Sequence, residues 1–118
     1  MDIEGLQRQL REFAEERDWD QFHSPKNLAA ALVVEAAELL EPFQWLGDEA
    51  SRRLADDRAN FEAVRAEIAD VLIYLLRLAD QLDIDLEQAV TDKMRRNAEK
   101  YPIALAKGNA VKYNRRDI

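Results

Sequence analysis

Two pairs of carboxylates carry the chemistry this sequence can offer. Glu35 and Glu38 stand three residues apart, and so do Glu67 and Asp70. In a helix that spacing puts both members of a pair on one face. Both pairs lie in strongly apolar stretches. In LAAALVVEAAELL, residues 28–40, Glu35 and Glu38 are the polar residues, and Glu41 follows, rotated further round. In AEIADVLIYLLRLA, residues 66–79, the polar residues are Glu67, Asp70, Tyr74 and Arg77, one stripe at i, i+3, i+7 and i+10 on an otherwise apolar rod. Helices this apolar are expected to be largely buried. A buried, unpaired carboxylate costs several kcal/mol, and four acids on facing helices repel one another and push pKa values upward. Structural ion pairing is the plain alternative, but it sets one positive charge, Arg77, against four negative ones; beside a bound metal, Arg77 is expected to pair with one of these acids without being a ligand itself. A divalent cation balances them better. An all-oxygen donor set points to Mg²⁺, with Mn²⁺ as a substitute, rather than to Zn²⁺.

Several other chemistries are excluded. A di-iron bundle needs a Glu-x-x-His pair on each of two helices, and the one histidine, His23, lies outside any such motif. Cysteine is absent, which removes disulfides, thiolate catalysis and thiolate metal sites. A hard cation among carboxylates most often serves phosphate chemistry, where it shields phosphate charge and lowers the pKa of an attacking water. The net charge is −7, with −10 on residues 1–100 and +3 on residues 101–118, where Lys107, Lys112, Arg115, Arg116 and Asp117 lie. The acidic body argues against duplex nucleic acid as a partner. The basic tail is either solvated or in contact with an anionic ligand. The longest stretch without a charge, residues 27–34, is far short of a membrane span. The opening MDIEGLQRQL has no apolar core of a signal peptide, so a cytoplasmic protein without a membrane partner is expected.

The elements that must position the acids are helices. With 118 residues the chain is expected to form one domain, and three Gly and three Pro are too few for a many-stranded sandwich or barrel. Ile3, Leu6, Leu10 and Phe13 recur with helical period over residues 3–17. Ser24 followed by Pro25 is a helix start, and Pro42 ends that second helix near Glu41. Residues 48–57 offer one or two helical turns. A long third helix is expected over 58–82 and a fourth from Asp85 to about Lys100, with Gln88 in a weak capping box. The expected architecture is an all-α four-helix bundle with short connections.

With these residues the chain resembles the all-α nucleoside triphosphate pyrophosphohydrolases of the MazG-like superfamily, most nearly their dCTP pyrophosphatase branch. The pattern E-x-x-E on one helix and E-x-x-D on the next is met by Glu35, Glu38, Glu67 and Asp70. E-x-x-E alone is a weak signal. The context is specific: RDWDQFHSPKNL before the first pair, FQW after it, DVLIYLL around the second, and KMRRNAEKYP beyond, over residues 6–113. The resemblance implies conversion of a nucleoside triphosphate to the monophosphate and pyrophosphate with Mg²⁺ held by the four acids, which are then also the catalytic residues. It further implies Trp19 and Trp45 beside the base, Tyr74 and Asn97 nearby, and Lys93 towards the phosphates. Without it, both tryptophans would be read as plugs of the bundle ends, and Lys93 and Asn97 as solvated surface. His23, just before the helix cap, joins this substrate-binding set as a local hydrogen-bonding residue rather than a catalyst. One departure is Leu10, where the branch carries a histidine.

Two further expectations complete the reading. The second and third helices are apolar round nearly their whole circumference, more than one small bundle covers. A second copy of the chain must then supply cover, and the resemblance favours a homotetramer over a dimer. The substrate is dCTP or a 5-modified dCTP; the alternatives are dUTP, another dNTP or a phosphoribosyl nucleotide, or a non-catalytic helical bundle whose acids are structural.

Overall fold

A computed structural model describes residues 1–115, so Arg116 and Asp117 of the basic tail lie outside the described residues. The described residues form helices and turns, with no strand among them. They divide into two compact units, one of residues 1–83 and one from residue 84 on.

In the first unit each helix starts where local chemistry dictates. Helix α1 (Ile3–Glu16) opens on Asp2, whose Oδ1 accepts from the Gly5 N–H at 2.9 Å. Gly5 is buried, and a Cβ there would run into that capping carboxylate. Helix α2 (Pro25–Leu40) starts with Ser24, whose Oγ accepts from the Asn27 N–H at 3.2 Å, and with proline in its first turn. A tight turn over residues 41–45 follows, then a short helix α3 (Asp48–Arg52) and a 3₁₀ turn at Leu54–Asp56 that buries Leu54. Helix α4 (Arg58–Gln81) is capped by Asp57, accepting from the Asn60 N–H at 3.3 Å. Helix α4 is the spine of the unit, with α2 and α1 packed against it.

The second unit holds α5 (Leu86–Lys100) and the short α6 (Ile103–Ala106). Asp85 caps α5 through the Gln88 N–H at 3.0 Å, but the Gln88 side chain reaches forward to Asp92 at 2.9 Å instead of back. Only half of the expected capping box forms. Beyond it the Tyr101 and Tyr113 rings meet edge-on at 6.0 Å.

All four main helices of the sequence reading are present, within a residue or two of their expected ends. The expected burial of α2 is not. Its one fully buried residue is Leu28, while Val33, Val34 and Leu40 are 68%, 55% and 61% exposed. A rod packed along one neighbour covers one side only, and α2 has two apolar sides. Ile68, Ile73 and Leu75 on α4 are likewise open.

Helices α1 and α4 both run into an aspartate in the left-handed region, Asp18 (φ 55°) and Asp83 (φ 53°). Aspartate tolerates this conformation better than most residues, yet Asp83 places its charge at the negative end of α4, which has no basic residue in its last turn. Asp83→Asn keeps the tolerant side-chain shape and removes the unfavourable charge. It should add about 0.5 kcal/mol, read as a rise in Tm of about 2–4 °C in a thermal melt.

Candidate active site

Packing of α2 on α4 brings Glu35, Glu38 and Glu67 together. Each offers a carboxylate oxygen, and the three oxygens lie within 4.8 Å of one another. Glu35 and Glu67 are half-buried and Glu38 is exposed. The Oε1 of Glu67 is fully buried and has no hydrogen-bond partner. Its neighbours cannot supply one while ionised, because a carboxylate only accepts. The Glu67 carboxyl is consequently pushed up to about 7, first by the Glu35 carboxyl at hydrogen-bonding range, then by desolvation and by the charges of Glu35 and Glu38. Glu38 is raised as well, chiefly by the charge on Glu35. A hard divalent cation fits this donor set: three oxygen ligands converge, and one of them has nothing else to bind.

The structure brings three of the four predicted acids together rather than all four. Asp70 lies one turn further along α4 on the same stripe, exposed and outside the converging trio. Nor are the acids buried as the apolar surroundings led one to expect, since the open side of α2 leaves Glu38 in solvent.

Arg77 also corrects the reading of the sequence. It does not pair with a clustered acid. Its guanidinium is buried and turns the other way, with Nη2 at 2.9 Å from Asp20 Oδ1 and 3.3 Å from His23 Nδ1, and Nη1 at 3.9 Å from Asp80 Oδ2. Asp80 in turn binds Arg11 Nε of α1 at 2.9 Å. The signal for Asp80 was in the sequence, one further three-residue step along the stripe. Asp20 carried no such signal, because it lies on a different element. Arg11, Asp20, Arg77 and Asp80, with Glu15, Gln81 and Asp83, line an open polar cleft of about 470 Å³ that none of the clustered acids enters.

The remaining predicted residues fall into four places. Trp19 is part-exposed in the connector after α1, edge-on to Phe13 at 5.6 Å and to His23 at 6.2 Å. Burial and the Arg77 charge hold His23 below its usual value, against an opposing pull from Asp20. Tyr74 is half-buried on the acidic stripe of α4, and Trp45, in the turn after α2, is 89% exposed. Lys93 and Asn97 belong to α5 in the second unit, both exposed and four residues apart, hence on one face. Leu10 is half-buried on α1.

Residues 30–115 match the model of the MazG-like family. The chain belongs to the MazG-like family. Its relatives include dCTP pyrophosphatase 1 of Mus musculus, 47% identical over 111 residues that make up 94% of this chain and 65% of that one. The Homo sapiens protein of the same name is 44% identical over the same share of each chain. This MazG-like chain thus spans 65% of the length of those two curated relatives. A pyrophosphatase from Archaeoglobus fulgidus, solved by crystallography, superposes with a TM-score of 0.79 at 45% identity, covering 86% of this chain and 94% of its own.

Proposed function

We propose that this MazG-like chain is an Mg²⁺-dependent nucleoside triphosphate pyrophosphohydrolase acting on dCTP or a 5-modified dCTP. It cleaves the α–β phosphoanhydride bond, yields the monophosphate and pyrophosphate, and clears surplus or modified nucleotides from the pool. The observation that carries this reading is the trio Glu35, Glu38 and Glu67 with its orphaned, buried Oε1. The names of the mouse and human relatives support the choice of dCTP. Glu35, Glu38 and Glu67 hold the metal, with Asp70 one turn away as the fourth acid, and Mn²⁺ can substitute. Bound there, the ion neutralises triphosphate charge and lowers the pKa of the attacking water.

Trp19, His23, Trp45, Tyr74, Lys93 and Asn97 form the nucleotide-binding set. Stacking on an aromatic ring tolerates any base, so discrimination falls to polar groups such as Asn97. The whole chain acts as one domain, a reading supported by a family match that runs from residue 30 to residue 115. It works in the cytoplasm without a membrane or a nucleic-acid duplex as partner. Among the described residues no helix is long and apolar enough to cross a membrane.

The test is a panel of nucleoside triphosphates with Mg²⁺, assayed for pyrophosphate and for orthophosphate. Pyrophosphate release with the highest kcat/KM on dCTP or its 5-modified forms is expected. A preference for dUTP or another nucleotide changes the substrate but keeps the reaction class. No turnover on any of them makes the acids structural and the chain a non-catalytic bundle.

Self-association completes the proposal, a homotetramer before a dimer. Val33, Val34 and Leu40 on α2 and Ile68, Ile73 and Leu75 on α4 are all exposed, a concentration of apolar surface that isolated surface residues do not produce. Sedimentation at low micromolar concentration should give a species several times the 13.6 kDa chain mass. A stable, fully active 13.6 kDa species would overturn it.

A further inference from the structure

Arg77 is the buried charged residue among the described residues, 3% exposed, on a helix turn that reads LLRLA and would pack well with an apolar side chain. Burying a guanidinium costs free energy that its partners must offset. Its two hydrogen-bonding partners lie in one segment, the connector of residues 17–24, and Asp80 of its own helix adds a looser ion pair at 3.9 Å. Apolar anchorage of that connector is slight: its 3₁₀ turn at Asp20–Phe22 has no buried residue, Phe22 is 59% exposed, and Trp19, edge-on to Phe13 of α1, is still 43% exposed. Its own hydrogen bonds are local, such as Asn27 Nδ2 to the Phe22 carbonyl and Gln21 Nε2 to Asp18. Among the described residues its distant polar contacts both end on Arg77 Nη2, which donates one N–H to Asp20 Oδ1 at 2.9 Å and the other towards His23 Nδ1 at 3.3 Å.

The second contact has a chemical consequence. A guanidinium only donates, so Nδ1 of His23 must accept, and the ring proton then sits on Nε2. Burial and the Arg77 charge hold the ring in this neutral form. Arg77 thus fixes the backbone position of the connector through Asp20 and the tautomer of its histidine through Nδ1. It stands on α4, the helix that also carries Glu67 and Asp70, ten and seven residues earlier on the same stripe.

The geometry points to Arg77 as a positioning residue, which ties the Trp19–His23 connector to the acid-bearing helix and presents His23 to the nucleotide as an Nε2–H donor. This rests on the assignment of Trp19 and His23 to nucleotide binding made above. The test compares Arg77→Met, which keeps the shape, Arg77→Lys, which keeps the charge, and Asp20→Ala, which removes the half-exposed partner and leaves the buried side intact.

For Arg77→Met we expect KM for the nucleotide to rise roughly tenfold with kcat nearly unchanged, the mark of lost ground-state positioning. Mn²⁺ affinity of the acid cluster without nucleotide should stay at the wild-type value. Nitrogen-15 NMR of the chain's single histidine should show the Nε2–H tautomer in the wild type and a mixture in Arg77→Met. Arg77→Lys should recover part of the KM, and Asp20→Ala should shift KM in the same direction.

An unchanged KM in Arg77→Met overturns the proposal. So does a loss of KM, Mn²⁺ affinity and Tm together, which would mark a merely structural residue. If Arg77→Met does not fold, Asp20→Ala decides, and a wild-type KM in that variant overturns the proposal. Trp19→Ala, run alongside, separates the two readings. A KM raised by Trp19→Ala but not by Arg77→Met sinks the positioning role alone, whereas a KM untouched by Trp19→Ala sinks the nucleotide assignment of Trp19.

Discussion

Glu67→Gln should lower pyrophosphate release at least about 10²-fold, the scale on which losing a key electrostatic or acid–base group acts. The metal-free protein should be as stable as the wild type or more so, because the substitution removes one of three mutually repelling carboxylates and gives the buried Oε1 position an amide that needs no charge. This combination separates a ligand from a structural acid. An ion-pairing carboxylate would show the reverse, a lower Tm with activity per folded molecule retained, and that result would remove the metal assignment. Glu38→Ala and Asp70→Ala test the rest of the set. A smaller loss for Asp70→Ala is expected, since Asp70 lies outside the converging trio.

Chelation by EDTA should abolish turnover, and Mg²⁺ should restore it. The metal-free chain should also carry a distinctive pH dependence. The folded chain holds a proton on Glu67 up to about pH 7, against the usual 4.5 for a free glutamate. Between these values the folded state binds more protons than the unfolded state, so stability falls as pH rises. The contribution is fully present below about pH 4.5 and is lost as pH passes 7. Thermal melts in EDTA from pH 5 to pH 8 should therefore slope downward from this group, and Glu67→Gln should flatten the slope. Divalent cation added at pH 7 should raise Tm and release protons, because the ligands must be ionised to bind. A metal-free stability that climbs from pH 5 to pH 8 and does not respond to Glu67→Gln would show that the carboxylates do not repel one another in the folded chain.

Much of this was legible in the sequence because it is local. The starts of α2, α4 and α5 follow from Ser24, Asp57 and Asp85 accepting backbone N–H groups three residues on. The pairing of Glu35 with Glu38, and of Glu67 with Asp70, follows from the pitch of a helix. Which of the four acids converge is not local. It depends on how α2 lies across α4, and that crossing turns Glu67 inward and leaves Asp70 one turn out. Arg77 shows the same limit. Its stripe is readable, yet its partner Asp20 is 57 positions away on another element. That α2 needs cover beyond its own chain was readable from the apolar residues all round it; which of them stay open, Val33 and Val34 among them, depends on how α2 lies on α4.

The sharing of α2 and α4 between a polar stripe and apolar flanks constrains how this chain can change its length. Each residue advances a helix by about 100°, from 3.6 residues per turn. One residue inserted between Glu35 and Glu38, or between Glu67 and Arg77, would swing every later side chain by that angle. In α2 it would carry Glu38 out of register, and just after Glu67 in α4 it would carry Asp70 and the guanidinium out of register and turn Ile73 and Leu75 with them. Length variation among descendants of this sequence is therefore expected in stretches such as residues 46–57, which lie outside α2, α4 and the Trp19–His23 connector and carry none of the candidate site residues. Within α2 and α4 the chain can drift in composition but not in count.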